Sequence, residues 1–196
     1  MDEHRAKLAV FDLLDALGED PGREGLRGTP GRVARAWGEM LDGMGKSATD
    51  VLLTSEGTAG FTQVGGYDQM VVLTGYPFHS VCEHHLLPFQ GLADVGYVPS
   101  DGGPMVGLSK LGRLVDLYAR RLQVQERLTQ QVAESLEQHL RPLGVGVRIR
   151  AVHQCMACRG VRKGSTMATE ALLGAFRKHE VRAEFWHLCS ALEVRS

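Results

Sequence analysis

Val145-Gly146-Val147-Arg148-Ile149-Arg150-Ala151-Val152-His153-Gln154 sets Val145, Val147, Ile149 and Ala151 in alternation with Gly146, Arg148 and Arg150. A period of two with one apolar set is a strand that buries one face. Upstream, Leu111, Leu114, Val115 and Tyr118, then Val124, Leu128, Val132, Leu136 and Leu140, recur at helical spacing, and Pro142 ends the second run. Two helices therefore precede the strand. Further upstream, Leu92 to Val98, bounded by Gly91 and Pro99, reads as a strand. So does the stretch from about Gln69 to Leu73, entered through a loop over Gly57 to Gly66. Downstream, Met167 to Lys178 reads as a closing helix.

Near the N-terminus, Val10, Leu13, Leu14 and Leu17 mark a first helix that stops at Gly18 before Asp20-Pro21-Gly22. Thr29 is the expected N-cap of a second, with Pro30 at its first position and Val33, Trp37, Met40 and Leu41 as its apolar stripe. Strands, a helix pair, more strands and a last helix describe an α+β domain over residues 57–196 behind a helical extension over residues 1–56.

The 196 residues are 43% apolar, enough for one sizeable core. No apolar run exceeds four residues and Met1-Asp2-Glu3-His4-Arg5 is not a hydrophobic leader, so the expectation is a cytoplasmic protein without a membrane span. Lys plus Arg number 22 against 23 Asp plus Glu, which leaves no basic excess for sequence-blind binding of nucleic acid. An anionic partner would have to meet a local cluster. Four cysteines, Cys82, Cys155, Cys158 and Cys189, are too few for a disulfide framework in a chain of this length.

Cys82-Glu83-His84-His85 places a thiol and an imidazole three residues apart, within reach of one metal ion from a single turn. In His153-Gln154-Cys155-Met156-Ala157-Cys158 the strand alternation, continued, puts His153 and Cys155 on one face. Any one of these residues alone would more often be a buried thiol or a satisfied core histidine. Together they leave two metal readings. Cys82, His85, Cys155 and Cys158 could form a closed structural zinc site, or three ligands could leave a fourth position to water, with His84 and His153 free for proton transfer.

At these residues the chain resembles the GTP cyclohydrolase I family. The resemblance runs through Thr29-Pro30-Gly31-Arg32-Val33-Ala34-Arg35, Cys82-Glu83-His84-His85-Leu86-Leu87-Pro88-Phe89, Gly107-Leu108-Ser109-Lys110-Leu111, Gln123-Val124-Gln125-Glu126-Arg127-Leu128-Thr129 and His153-Gln154-Cys155-Met156 to Arg159-Gly160-Val161. It implies a tunnelling fold, in which an antiparallel sheet backed by two helices assembles into a ring. Two rings then stack as a homodecamer with active sites between subunits. By matching positions it implies zinc (Zn2+) on Cys82, His85 and Cys155, with Cys158 outside the ligand set. His84 and His153 match catalytic histidines, and Ser109 lies where the ribose is expected. Lys110, Arg113, Gln125, Glu126 and Arg159 match the nucleotide pocket, and Arg32 and Arg35 match residues that reach the triphosphate. Without the resemblance, Arg32 and Arg35 would read as a solvated helix face.

The implied reaction is hydrolytic opening of the purine imidazole ring of GTP, loss of formate, ribose rearrangement and closure to 7,8-dihydroneopterin triphosphate. Attack at carbon 8 needs a nucleophilic water, whose pKa zinc lowers to about 7, and an acid near nitrogen 7, where imidazole is suited to the task. A carboxylate such as Glu126 can accept two hydrogen bonds from a guanine edge. Three departures from the family pattern stand out. Leu122 replaces a proline, Asp94 puts a carboxylate on an interior strand, and Ser165-Thr166-Met167-Ala168-Thr169 lacks one residue of a Ser-x-Thr-x-Thr pattern. The alternatives are a paralogue with another product or pathway and a zinc-stapled binding protein without catalysis.

Overall fold

The computed structural model describes residues 1–53 and 67–190. The expected loop over Gly57 to Gly66 and the expected boundary between residues 56 and 57 lie outside them. The chain divides into two compact units, Met1–Asp42 and Gly43–Ser196. In the first, α1 (Glu3–Ala16) starts at Asp2, whose carboxylate accepts from the Arg5 N–H at 3.0 Å, and it stops before Gly18 at φ +84°. The second helix, α2 (Thr29–Met40), is capped by Gly28 rather than Thr29. Thr29 lies within the first turn, where its hydroxyl accepts from Arg32 at 2.7 Å. Of the expected stripe, Val33 and Trp37 are half-buried and Met40 is exposed, and Ala34 is the residue of α2 that is fully buried.

The second unit runs α3 (Ala48–Leu52), β1 (Val71–Cys82), β2 (Pro88–Val98), α4 (Leu108–Ala119), β3 (Leu122–Gln123), α5 (Gln125–Leu140), β4 (Gly144–His153), α6 (Gln154–Ala157), β5 (Thr166–Gly174), a 3₁₀ turn (Ala175–Arg177) and α7 (His179–Ser190). Among the described residues the strands make one sheet in the order β3-β1-β2-β4-β5, antiparallel except for the short parallel β1–β3 pair. The helix pair, the alternating strand and the α+β class stand as expected. The helix expected over Met167 to Lys178 does not form: that stretch is β5 and the 3₁₀ turn, and the closing helix begins at His179. Met, Ala, Glu and Leu favour a helix locally, but pairing of Val152 through Gly144 with Thr166 through Gly174 satisfies the open edge of β4.

Each face of the sheet has its own cover. Phe78 and Cys82 of β1, Phe89, Ala93, Val95 and Tyr97 of β2, and Val145, Val147, Ile149 and Ala151 of β4 pack with Leu111, Leu114 and Val115 of α4 and Leu128, Val132 and Leu136 of α5. On the opposite face Phe176, Phe185 and Cys189 join Val72, Val98 and Leu172. Gly96 and Gly146, paired across β2 and β4, leave the hollow that receives those rings. A Cβ on Gly146 would sit 2.3 Å from the Phe176 ring, and one on Gly96 would sit 3.1 Å from Phe185.

The buried carboxylate of Asp94 has a structural explanation. Its exposure is 0%, Gly75 donates its N–H to it at 2.8 Å and Arg150 donates at 3.2 Å. Gly75, at φ +64°, lies where the β1 register shifts between Leu73 and Tyr76. Asp94 thus satisfies a backbone donor that the bulge would otherwise strand. Among the described residues no helix is long and apolar enough to cross a membrane.

Candidate active site

The β1–β2 hairpin presents the first ligand pair. Cys82 ends β1, its N–H donating to the Leu87 carbonyl and its own carbonyl accepting from Leu86, both at 2.9 Å. Glu83, His84 and His85 turn between those bonds, and Leu86 takes φ +54° to close the loop. Cys82 is buried while both histidines are exposed, their rings 6.3 Å apart and nearly perpendicular at 85°.

The second pair comes from the end of β4, where the alternation reaches His153 and then stops. Cys155 does not continue the strand, as expected from the spacing, but sits in α6, the single helical turn that follows at once. That reversal brings its thiol back toward β1. The ligand atoms of Cys82, His85 and Cys155 lie within 4.8 Å of one another, and Cys82 Sγ is 3.8 Å from His85 Nδ1. A tetrahedral zinc site, with Zn–S about 2.3 Å and Zn–N about 2.0–2.1 Å, separates such atoms by about 3.6 Å, so the spacing fits the ion. Burial, then the neighbouring Cys82, pushes the Cys155 thiol above its ordinary pKa, and the Arg159 guanidinium opposes this. A cation between the two sulfurs would reverse that preference. Cys158, at the C-cap of α6, is exposed, and its Sγ turns back to the Gln154 carbonyl at 2.9 Å.

Beside the thiols, His153 stacks on Phe89, ring centroids 4.5 Å apart and planes at 5°. Its Nε2 lies 2.8 Å from Gln125 Oε1. The Gln125 amide nitrogen donates toward the Ile149 carbonyl at 3.0 Å and toward the Met167 carbonyl and Thr169 Oγ1 at 3.1 Å. Backbone carbonyls only accept, so the amide is fixed with its oxygen toward the ring, and Nε2 must carry the proton. Burial lowers the pKa of His153, with nearby Glu126 opposing the shift. Both the shift and the amide contact favour the neutral ring with its hydrogen on Nε2. Thr169 also meets Thr129 Oγ1 at 2.6 Å, which accounts for one hydroxyl of the altered Ser165–Thr169 stretch.

Cys82, His85, Cys155, His153, Gln125, Glu126 and Arg159 thus form one neighbourhood. Ser109, Lys110 and Arg113 stand on the first turns of α4, with Ser109 and Arg113 exposed and Lys110 Nζ donating to the Leu52 carbonyl at 2.7 Å. Arg32 and Arg35 are exposed on α2 in the first unit, where Arg32 also donates to the Gly25 carbonyl at 3.3 Å. Sequence reasoning gave no role to Phe89, Thr129 or Thr169. Phe89 lies within a quoted motif, but its register opposite His153 exists only once β2 and β4 pair.

The family model described as GTP cyclohydrolase I matches residues 6–190. The GTP cyclohydrolase 1 of Streptomyces griseus is 51% identical over 97% of this chain and 92% of its own length, and that of Streptomyces avermitilis is 52% identical over the same shares. The GTP cyclohydrolase 1 of Mycobacterium tuberculosis is 50% identical over 93% of this chain and 88% of its own. With a thiol–imidazole–thiol group, an oriented histidine beside it and a match across nearly its whole length, the chain belongs to the GTP cyclohydrolase I family of enzymes.

Proposed function

We propose that this chain is a zinc-dependent enzyme of the cytoplasm that converts GTP to 7,8-dihydroneopterin triphosphate with release of formate. It would work as a homodecamer with active sites between subunits, residues 57–196 forming the catalytic domain behind the extension over residues 1–56. The observation that carries the reading is the approach of Cys82, His85 and Cys155 within 4.8 Å of one another, next to the oriented ring of His153. These three residues would hold the zinc, which when bound supplies Lewis acidity and a nucleophile from water at neutral pH.

The remaining steps fall to side chains. His153, with its Nε2 hydrogen committed to Gln125 and its pKa lowered by burial, offers Nδ1 as a proton acceptor. His84, exposed and with its ring nearly perpendicular to that of His85, would deliver the proton at nitrogen 7. Glu126, exposed on the first turn of α5, would accept from the guanine edge, and Gln125 would complete that side of the pocket. Lys110, Arg113 and Arg159 would hold the triphosphate, and Ser109 the ribose.

Incubating the purified protein with GTP, and following formate, product mass and pterin fluorescence, tests the reading. Formate release with the mass of dihydroneopterin triphosphate is expected. Accumulation of an opened-ring product would favour the paralogue, and intact GTP with one bound zinc per chain would favour the stapled binding protein.

A further inference from the structure

We propose that Arg127 is a positioning residue for the metal-ligand turn and acts through Glu83; the proposal rests on reading Cys82, His85 and Cys155 as metal ligands. Arg127 and Glu83 form a two-pronged ion pair, Nη1 to Oε2 at 2.5 Å and Nη2 to Oε1 at 3.0 Å. Glu83 stands between Cys82 and the two histidines, so the direction of its side chain is coupled to the rotation of the whole turn. A guanidinium fork meeting a carboxylate edge to edge restricts that direction far more than a point charge would. The Glu83 N–H also donates to the Gln123 carbonyl at 3.0 Å. The turn is therefore tied twice to the segment that opens α5.

That segment is a rigid reference. Gln125, Leu128, Thr129 and Val132 are all buried, and Gln125 is the residue that orients His153. Through Arg127 on one side and Gln125 on the other, the first turn of α5 sets both the ligand turn and the histidine beside it. Stability is a weak alternative explanation for the pair, because the two side chains are 47% and 30% exposed and ion pairs of that exposure add little. Partners that hold metal ligands in place typically change affinity 10–100-fold when removed.

The test uses the full-length protein freed of metal with a chelator, then titrated with cobalt(II), read by its visible absorption, and with zinc in competition with a chromophoric chelator. Arg127→Met and Glu83→Gln should each weaken zinc binding about 10–100-fold and change the cobalt band, while the melting temperature of the metal-free protein stays at the wild-type value. Arg127→Lys, which keeps the charge and loses the fork, should fall between. The exchanged pair Glu83→Arg with Arg127→Glu should recover part of the affinity. Wild-type affinity and an unchanged cobalt band in Arg127→Met and Glu83→Gln would overturn the proposal, as would a loss of affinity that only tracks a lowered melting temperature. Failure of the wild-type protein itself to take up cobalt or zinc would instead reject the metal reading on which the proposal stands.

Discussion

Gln125 and His153 meet at 2.8 Å, amide oxygen to ring Nε2, and the other end of the same amide is held by two backbone carbonyls and a threonine hydroxyl. The contact selects one tautomer of the imidazole. Gln125→Leu should therefore act at two levels. It strands buried acceptors, which should destabilise the protein by about 1–3 kcal/mol in denaturant melts, and it frees the His153 ring to change tautomer. His153→Ala should keep its metal and lower GTP turnover by about 10²–10⁴-fold. Full turnover by His153→Ala with metal content intact would remove His153 from the proposed chemistry.

Metal stoichiometry separates the cysteines. Cys82→Ala and Cys155→Ala should each lose most bound zinc, measured by elemental analysis after dialysis, because each removes one of three converging ligand atoms. Cys158→Ala should retain the wild-type amount, since that thiol is turned to the Gln154 carbonyl. The reverse pattern would revive a closed four-ligand site.

Cys189 predicts an alkaline dependence. Burial, reinforced by the nearby Asp94 carboxylate, pushes its pKa up to about 12 against the partial opposition of Arg148 and Arg150. Below the ordinary thiol value of about 8.5–9 both folded and unfolded chains keep the proton, and the group leaves stability unchanged with pH. Above it the unfolded chain loses a proton that the folded chain retains, so stability should fall as pH rises from about 9 toward 12. Cys189→Ala should flatten that part of the curve. In mass-resolved alkylation at pH 8, exposed Cys158 should label first and Cys189 only on unfolding.

Asp94→Ala should cost about 3 kcal/mol, because it takes the carboxylate from Arg150 and leaves the Gly75 N–H without its acceptor. Asp94→Asn keeps an oxygen for Gly75 and should cost less. Equal melting curves for the wild type and both variants would show that the bulge holds itself.

The sequence by itself determined the strand that forms as Gly144–His153 and the helix pair α4 and α5. Each is written in short-range periodicity or spacing, which survives without knowledge of neighbours. Met167 to Gly174 carries no such record. Its residues are good helix formers, and only the open edge of β4 makes them a strand, which in turn sets Thr169 beside Gln125. In the same way β3 is two residues long and exists because β1 lies alongside, and Cys155 reaches the site by a helical turn that replaces the extrapolated strand. The tautomer of His153 and the fork between Arg127 and Glu83 were decided last. They join residues 28 and 44 positions apart, contacts that no local pattern encodes and that arise only when the sheet and α5 pack together.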